Sequence, residues 1–327
     1  MRRVLRSAAI AVTVGLLAAC SQPLPTPTPD ALPATTPPAL SVQQAERILG
    51  EVHATLAEAD AQLSAEALAP RVSGPAASFR TAEYRLAAAA GTADALTAVP
   101  QGAQTLVLPT SETWPRTMMV VTEPPADLTA PLLLTLVQDG PRDPYYLWSW
   151  VRLFPGVETP ALAQPEVGSA PVEADSADLA VAPADVMAQY VDVVTNREQS
   201  QFAGVFTDDP LRAGIWQTRD AFVGVVGANG SLAETYTPHP AGVRALATAD
   251  GGAIVVGTMV STTSITLVDS TLKIGDQTAV LLGTDTVKSS LSITWLSVVA
   301  FVVPPAGSDA QIQVLGGEHA RTQVTGA

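Results

Sequence analysis

Residues 291–303 read LSITWLSVVAFVV, a mainly apolar run without a charged residue, of the kind that forms a buried β-strand. Within this run, Phe301 follows Trp295 by six residues, and an even spacing puts both rings on one face of a strand. The same spacing occurs earlier in the chain, where Phe154 follows Trp148. The repeat indicates two blocks that end in similar strands.

The first block places helices before strands. Ser41 and Gln44 have the spacing of a capping box, and apolar residues then recur at every third or fourth position, which predicts a helix. Gly74 and Pro75 begin a second predicted helix that ends at Gly91. Apolar segments bounded by Pro, Gly and Asp predict strands over 105–108, 117–122, 132–138 and 145–154.

The second block repeats this order. Pro183 and Pro210 each stand where a helix is predicted to begin, because proline is tolerated in the first turn. Strands are predicted from residue 243, over 253–268 and over 291–303, with Asp250-Gly251-Gly252 as a hairpin turn. The shared order favours a diverged duplication, with coincidence as the alternative.

The amino terminus has the features of a secretory signal peptide. Three arginines precede an uncharged apolar run over 8–17, and small residues follow at Ala18 and Ala19 before Cys20. The run is about ten residues long, well short of the ~20 that a membrane-spanning helix needs. The segment therefore predicts export of the chain.

The stretch Leu17-Ala18-Ala19-Cys20 resembles the lipobox of bacterial lipoproteins. That resemblance implies a diacylglyceryl group on the Cys20 thiol and cleavage between Ala19 and Cys20. It also implies a protein held by its lipid on the extracytoplasmic face of the cell membrane. A buried structural cysteine next to an ordinary signal peptide is the alternative.

Composition shifts divide the chain into five parts. Residues 21–40 contain seven prolines and predict an extended spacer, and residues from 157 onward are rich in Ala, Pro and acids, as interdomain linkers are. The parts are a signal peptide (1–19), the lipidated cysteine with its Pro/Thr-rich spacer (20–40), a first α+β module (41–156), a linker (157–182) and a second α+β module (183–327).

Charge and cysteine content exclude several classes of function. The chain has 17 basic and 31 acidic residues, a formal charge of −14, and removal of residues 1–19 takes away three arginines and no acid, which gives −17. Such a surface does not favour a nucleic-acid partner, and it leaves the lipid as the source of membrane affinity. The single cysteine and three histidines predict no disulfide, no metal site and no cofactor.

The two blocks resemble a known architecture. Helices followed by a bent antiparallel sheet are similar to the cystatin and nuclear-transport-factor-like cone fold, over residues 41–156 and 183–315. The lipobox, the spacer and the closing strand also resemble a family of actinobacterial lipoproteins of unknown function. That second resemblance implies no catalytic residues.

Few residues suit chemistry. The chain has no phosphate-binding loop, dinucleotide fingerprint or nucleophile elbow, and the long strands 253–268 and 289–303 contain no charged residue and no histidine. Tyr145, Tyr146, Trp148 and Trp150 form a dense aromatic strand that could line a binding surface, with core packing as the alternative.

These observations predict a non-catalytic extracytoplasmic lipoprotein that binds or scaffolds an envelope protein, glycan or lipid. One alternative is a cone-fold enzyme acting on a small apolar substrate, which needs a buried Asp, Glu or His in a closed pocket. Another is the solute-binding lipoprotein of a transporter, which usually shows alternating strands and helices around a hinge.

Overall fold

Helices and antiparallel strands build the region that the computed structural model describes, residues 36–125 and 130–327. The predicted α+β class is confirmed. Ala19, Cys20 and the spacer up to residue 35 lie outside the described residues. The helices are α1 (Val42–Gln62), α2 (Gly74–Ala90), α3 (Pro183–Asn196), α4 (Pro210–Val226) and α5 (Asp276–Leu282).

The helix ends follow the predicted capping residues. The Ser41 side chain accepts a hydrogen bond from the Gln44 amide while the Gln44 side chain accepts one from the Ser41 amide, which completes the capping box of α1. Gly91 ends α2 in the left-handed conformation, which a glycine adopts without a steric penalty. Proline stands in the first turn of α3 and α4, as predicted.

Eight strands form one curled antiparallel sheet. In chain order the ten strands are β1 (Ala103–Val107), β2 (Arg116–Thr122), β3 (Leu132–Gln138), β4 (Tyr146–Leu153), β5 (Gly230–Ala247), β6 (Ala253–Leu267), β7 (Leu272–Lys273), β8 (Thr286–Val287), β9 (Ser290–Val303) and β10 (Gln313–Gly326). The large sheet has the order β1-β2-β3-β4-β10-β9-β6-β5, and β7 pairs with β8 separately.

The strand order is symmetrical about its centre. Each half of the chain contributes two helices and then four strands, and the last strands of the halves, β4 and β10, pair antiparallel. Their ladder is short, with Gly316 opposite Leu153 and Gly317 opposite Arg152. A side chain at Gly316 would overlap the Arg152 carbonyl, so the strands can approach this closely only because residue 316 is glycine.

The two-module arrangement is not confirmed, because the strands of both predicted modules join one sheet. Residues 36–327 form one compact unit. The segment 157–182, predicted as a linker, makes β-bridges from Pro171 to Leu246 and from Leu179 to Pro305. It also pairs with the first half through a β-bridge from Ser169 to Pro109, so it lies against both halves.

Three clusters of buried apolar side chains fill the structure. The first surrounds α1, α2 and β1–β4 and takes in Leu246, Ile254, Val256, Leu296, Val298, Ala300 and Leu315 from the second half. The second packs α3 against the other face of β6 and β9, with Val299 and Phe301 at its centre. The third lies at the far end of β9 around Trp295. Both faces of β9 are covered over residues 295–301, where the apolar sequence is broken only by the buried Ser297, whereas polar and apolar residues alternate at its start.

Some elements differ from the prediction. β5 begins at Gly230, well before the predicted start at Val243, and α5, β7, β8 and β10 were not predicted. β5 is an edge strand with Pro238 and Pro240 beside an irregularity in its pairing, and such residues argue against a strand on propensity alone. No helix in the described ranges is both long and apolar enough to cross a membrane.

Candidate functional site

The aromatic residues proposed from the sequence as a binding surface lie mainly in the core. Tyr145, Trp148 and Trp150 are buried, and only Tyr146 is partly exposed. Trp150 packs against Phe79 of α2 with ring centroids 5.6 Å apart. Core packing, the alternative considered above, accounts for the three buried rings, so they offer no binding surface.

The three histidines lie apart and are held by different partners. The two ring nitrogens of His53 lie 2.7 Å from the Leu49 carbonyl oxygen and 2.8 Å from that of Pro100. His239 Nδ1 accepts a hydrogen bond from the Ala241 amide at 3.1 Å. Over the described residues, no group of three or more His, Cys, Asp or Glu side chains has the arrangement of a metal site.

A buried cluster of charges lies along α2. The Arg80 guanidinium donates to Glu83 Oε2 at 2.8 Å and to the Thr97 carbonyl at 3.0 Å, and it stands 5.3 Å from the centre of the Trp150 ring. Burial raises the pKa of the Glu83 carboxyl, against the lowering effect of Arg80. These pairs fix α2 against β4 and the strands beside it.

Glu318 extends this cluster from β10. Burial raises its pKa to about 7, the Arg152 guanidinium lowers it, and the Glu83 carboxylate raises it further. A carboxyl with such a pKa can exchange a proton near neutral pH, which is a property of general acids and bases. Neither Glu318 nor Glu83 lines either of the two cavities described next.

The first of these cavities, about 590 Å³, lies beside the free edge of β1. Polar side chains such as Glu46, Gln101 and Gln104 contribute to its wall, and its described lining includes no cation. It is a mixed polar cleft at a sheet edge.

The second cavity has a different character and is called here the α4–α5 groove. It has a volume of about 610 Å³, within the range of ~300–1,000 Å³ that is usual for small-molecule sites. Its lining residues come from the second half of α4, from β7, from α5 and from β9 and β10: Gln217, Thr218, Ala221, Phe222, Val225, Leu272, Lys273, Ile274, Gly275, Gln277, Thr278, Leu291 and Arg321.

Part of the wall of the α4–α5 groove is apolar. Leu272, Ile274 and Leu291 are buried in the third core, while Phe222 is partly exposed. Val225 on α4 is 61% exposed. An apolar side chain so exposed next to a cavity indicates a surface that is incompletely covered.

Two cations and no carboxylate belong to the described lining of the α4–α5 groove. Lys273 is exposed, and Arg321 is partly buried on β10. One Arg321 nitrogen donates to Gln277 Oε1 at 2.7 Å, and the guanidinium carbon lies 4.3 Å from the centre of the Trp295 ring. Arg321 Nε is buried without a hydrogen-bond partner among the described residues.

Trp295 is covered on its other side by His319. The two rings stack with centroids 4.5 Å apart and planes inclined by 4°, and His319 Nδ1 lies 2.8 Å from the Ser297 hydroxyl. Burial, and secondarily the charge of Arg321, lowers the pKa of His319 to about 4. The imidazole is therefore neutral near pH 7 and stacks on Trp295 without adding charge.

The α4–α5 groove was not predicted from the sequence. On α4, Val226 is buried in the third core and Phe222 packs partly exposed against it. Val223 and Val225 could have indicated the groove, because they make the end of α4 apolar on several sides. A helix with one buried face cannot bury all of these side chains.

Comparisons with known proteins place the chain in a family. A family model described as "Domain of unknown function (DUF8094)" matches residues 36–326. Comparison with curated proteins gave no match, and neither did comparison with solved structures. Because the matched region covers most of the sequence, the chain belongs to the DUF8094 family.

Proposed function

We propose that this protein is a lipid-anchored, extracytoplasmic lipoprotein of the cell envelope with a non-catalytic binding role. The anchor is the Cys20 thiol in its lipobox-like context. The observation that carries the binding role is the α4–α5 groove, an open cavity of about 610 Å³ with apolar walls. It has the size and the apolar lining of a small-molecule site.

The chemistry of the lining favours binding over catalysis. Among the described lining residues of the α4–α5 groove there is no carboxylate and no histidine, the groups that most often transfer protons in enzymes. Amide, hydroxyl and cationic side chains are well suited to orient a ligand instead.

The binding role can be tested by filling the groove. Ala221 is an exposed residue of α4 whose position lines the groove, so Ala221→Trp is expected to occupy the space with an indole ring. We expect wild-type protein to bind the neutral fluorescent probe phenylnaphthylamine saturably, and the variant to bind it at least about tenfold more weakly. Fluorescence titration measures both.

Ala213→Trp is the matched control, because Ala213 is also exposed on α4 but does not line the groove. It should bind the probe as wild-type protein does. Equal binding by all three proteins, or no saturable binding by any of them, would contradict the proposed role of the groove.

One observation favours the enzyme alternative. Glu318 is a partly buried carboxyl with a pKa raised to about 7 near Arg152, as an acid or base acting near neutral pH requires. An enzyme working through this group would lose turnover in Glu318→Gln and keep it in Ala221→Trp. A protein that binds its ligand in the α4–α5 groove would instead bind the probe normally in Glu318→Gln and weakly in Ala221→Trp.

We also infer that the two halves descend from a duplicated unit. Support comes from the repeated sequence of two helices and four strands and from the antiparallel pairing of the last strand of each half. The inserted β7, α5 and β8 distinguish the second half, and they supply much of the wall of the α4–α5 groove.

A further inference from the structure

We propose that the ligand of the α4–α5 groove is a single-chain amphiphile with an anionic oxygen head, a carboxylate or a phosphate. Its hydrocarbon chain would lie along Phe222, Val225 and Leu291, and its head would meet Arg321 and Lys273. The proposal rests on the binding role proposed above and adds the chemical class of the ligand.

The apolar part of the groove requires a hydrocarbon partner. Leu291 is 1% exposed, whereas Val225 at the rim is 61% exposed. The solvent exposure of the apolar side chains therefore increases from the base of the groove to its rim. A hydrocarbon chain laid along it would remove the exposed apolar surface of α4 from water, which is favourable in proportion to the area covered.

The cationic part of the groove is unusual for this chain. Acids outnumber bases 31 to 17, and the sequence contains only two lysines, yet one of these lysines and an arginine line the groove without an acid in the described lining. No ion pair within 4.0 Å joins Arg321 or Lys273 to a described carboxylate. Their charges are therefore available to a ligand.

Arg321 is also held in place before any ligand binds. Trp295 supports the guanidinium plane from one side, and Gln277, a neutral acceptor, takes a single donor. Arginine presents five donors in a planar fork that matches carboxylate and phosphate oxygens. Because the fork is already oriented, little side-chain freedom remains to be lost on binding.

The overall charge argues that recognition is local. A chain with a net charge of −14 repels anions at long range, so an anionic ligand must gain its affinity from the apolar walls and from the two nearby cations. The cationic contribution should weaken as ionic strength rises, while the apolar contribution persists.

A matched pair of amphiphiles tests this inference. Dodecanoate and dodecanol share one hydrocarbon chain and differ in the head, and each can compete with phenylnaphthylamine in the fluorescence titration. We expect wild-type protein to bind dodecanoate at least about tenfold more tightly than dodecanol at low salt. Dodecyl phosphate in a third arm shows which anionic head is preferred.

The variant Lys273→Gln should weaken dodecanoate binding several-fold and leave dodecanol binding unchanged. Lys288→Gln is the matched control, because it removes the only other lysine, which is exposed and outside the groove lining. Arg321→Gln should have the larger effect on dodecanoate, and its thermal unfolding must be compared with wild type because Arg321 covers Trp295.

The outcomes separate the two proposals. If dodecanol and dodecanoate bind equally and Lys273→Gln changes neither, the head-group inference is wrong and the binding role of the groove stands. If neither amphiphile competes with the probe and Ala221→Trp has no effect, the proposed function itself fails.

Discussion

At the scale of single residues, the pKa values of two neighbours on β10 move in opposite directions for one reason. Glu318 and His319 lie on opposite faces of the strand, as successive strand residues do, and each is partly buried. Burial disfavours the charged form of each group, so the pKa of Glu318 rises to about 7 and that of His319 falls to about 4. Near neutral pH the strand therefore carries less charge than its sequence suggests.

The Glu318 pKa predicts a pH-dependent stability. The folded protein holds the proton up to about pH 7, whereas the unfolded chain releases it near 4.5, so the contribution of Glu318 to the free energy of unfolding should fall as pH rises through this window. The lowered pKa of His319 has the opposite effect, because the unfolded chain takes up that proton first as pH falls. The Glu318 contribution is about 3 kcal/mol. Urea denaturation of wild type and Glu318→Gln at pH 5 and pH 8 isolates it, because His319 is present in both proteins.

Replacing the carboxyl should remove this contribution. Relative to wild type, Glu318→Gln is expected to gain stability between pH 5 and pH 8, whereas Glu46→Gln, an exposed control on α1, should follow the wild-type profile. Parallel profiles for Glu318→Gln and wild type would show that the carboxyl ionises normally in the folded protein.

At the scale of elements, β9 organises the core. Its odd-numbered residues supply the second and third cores and its even-numbered residues supply the first, so one strand takes part in all three. Trp295 lies in the third core, 6% exposed, between the His319 ring and the Arg321 guanidinium. Its ring covers the other apolar side chains of the third core at this end of β9.

Removing that ring should be costly. Trp295→Ala is expected to lower the free energy of unfolding by ~3–5 kcal/mol, because it leaves a cavity among buried side chains. Trp114→Ala is the control on an exposed tryptophan, at 37% exposure, and should change stability little. Chemical denaturation followed by circular dichroism measures both, and a cost near zero for Trp295→Ala would place the ring outside the core.

Elements with strong periodicity were predictable, and the others were not. The predicted strand 132–138 coincides with β3, and the predicted ends of α2 match the structure, because apolar pattern and capping residues act locally. The long edge strand β5 was mostly missed, since its polar, proline-containing sequence is stabilised by pairing with β6 rather than by propensity. The α4–α5 groove depends on α5, whose seven residues carry too little pattern to be recognised.

At the scale of the whole molecule, the two halves share one core. The first core contains Leu246, Val298 and Leu315 from the second half packed with the helices of the first. Local sequence patterns reveal the repeated order of elements, but they carry no information on how two blocks join. The joined sheet of the described region could therefore not be predicted from either block alone, and the duplication stays a prediction.

The proposed lipid anchor belongs to this scale, because it would decide where the molecule resides. Cys20→Ser is expected to abolish acylation and to release the protein from the membrane fraction, since an acidic surface offers anionic lipids no attraction of its own. Fractionation of cells expressing each form, followed by immunoblotting, measures the change. Unchanged membrane association in the variant would overturn the lipoprotein assignment.

The short ladder between β4 and β10 makes the middle of the sheet a seam. Two ladder pairs and the hydrogen bond from the Phe154 amide to the Leu315 carbonyl join the two strands, one pair at a glycine that admits no side chain, whereas β9 and β10 pair over nearly their whole length. Cohesion across the seam therefore comes from shared apolar packing more than from backbone hydrogen bonds. If the first core loosens, the sheet parts along this line, and each four-stranded half stays hydrogen-bonded within itself.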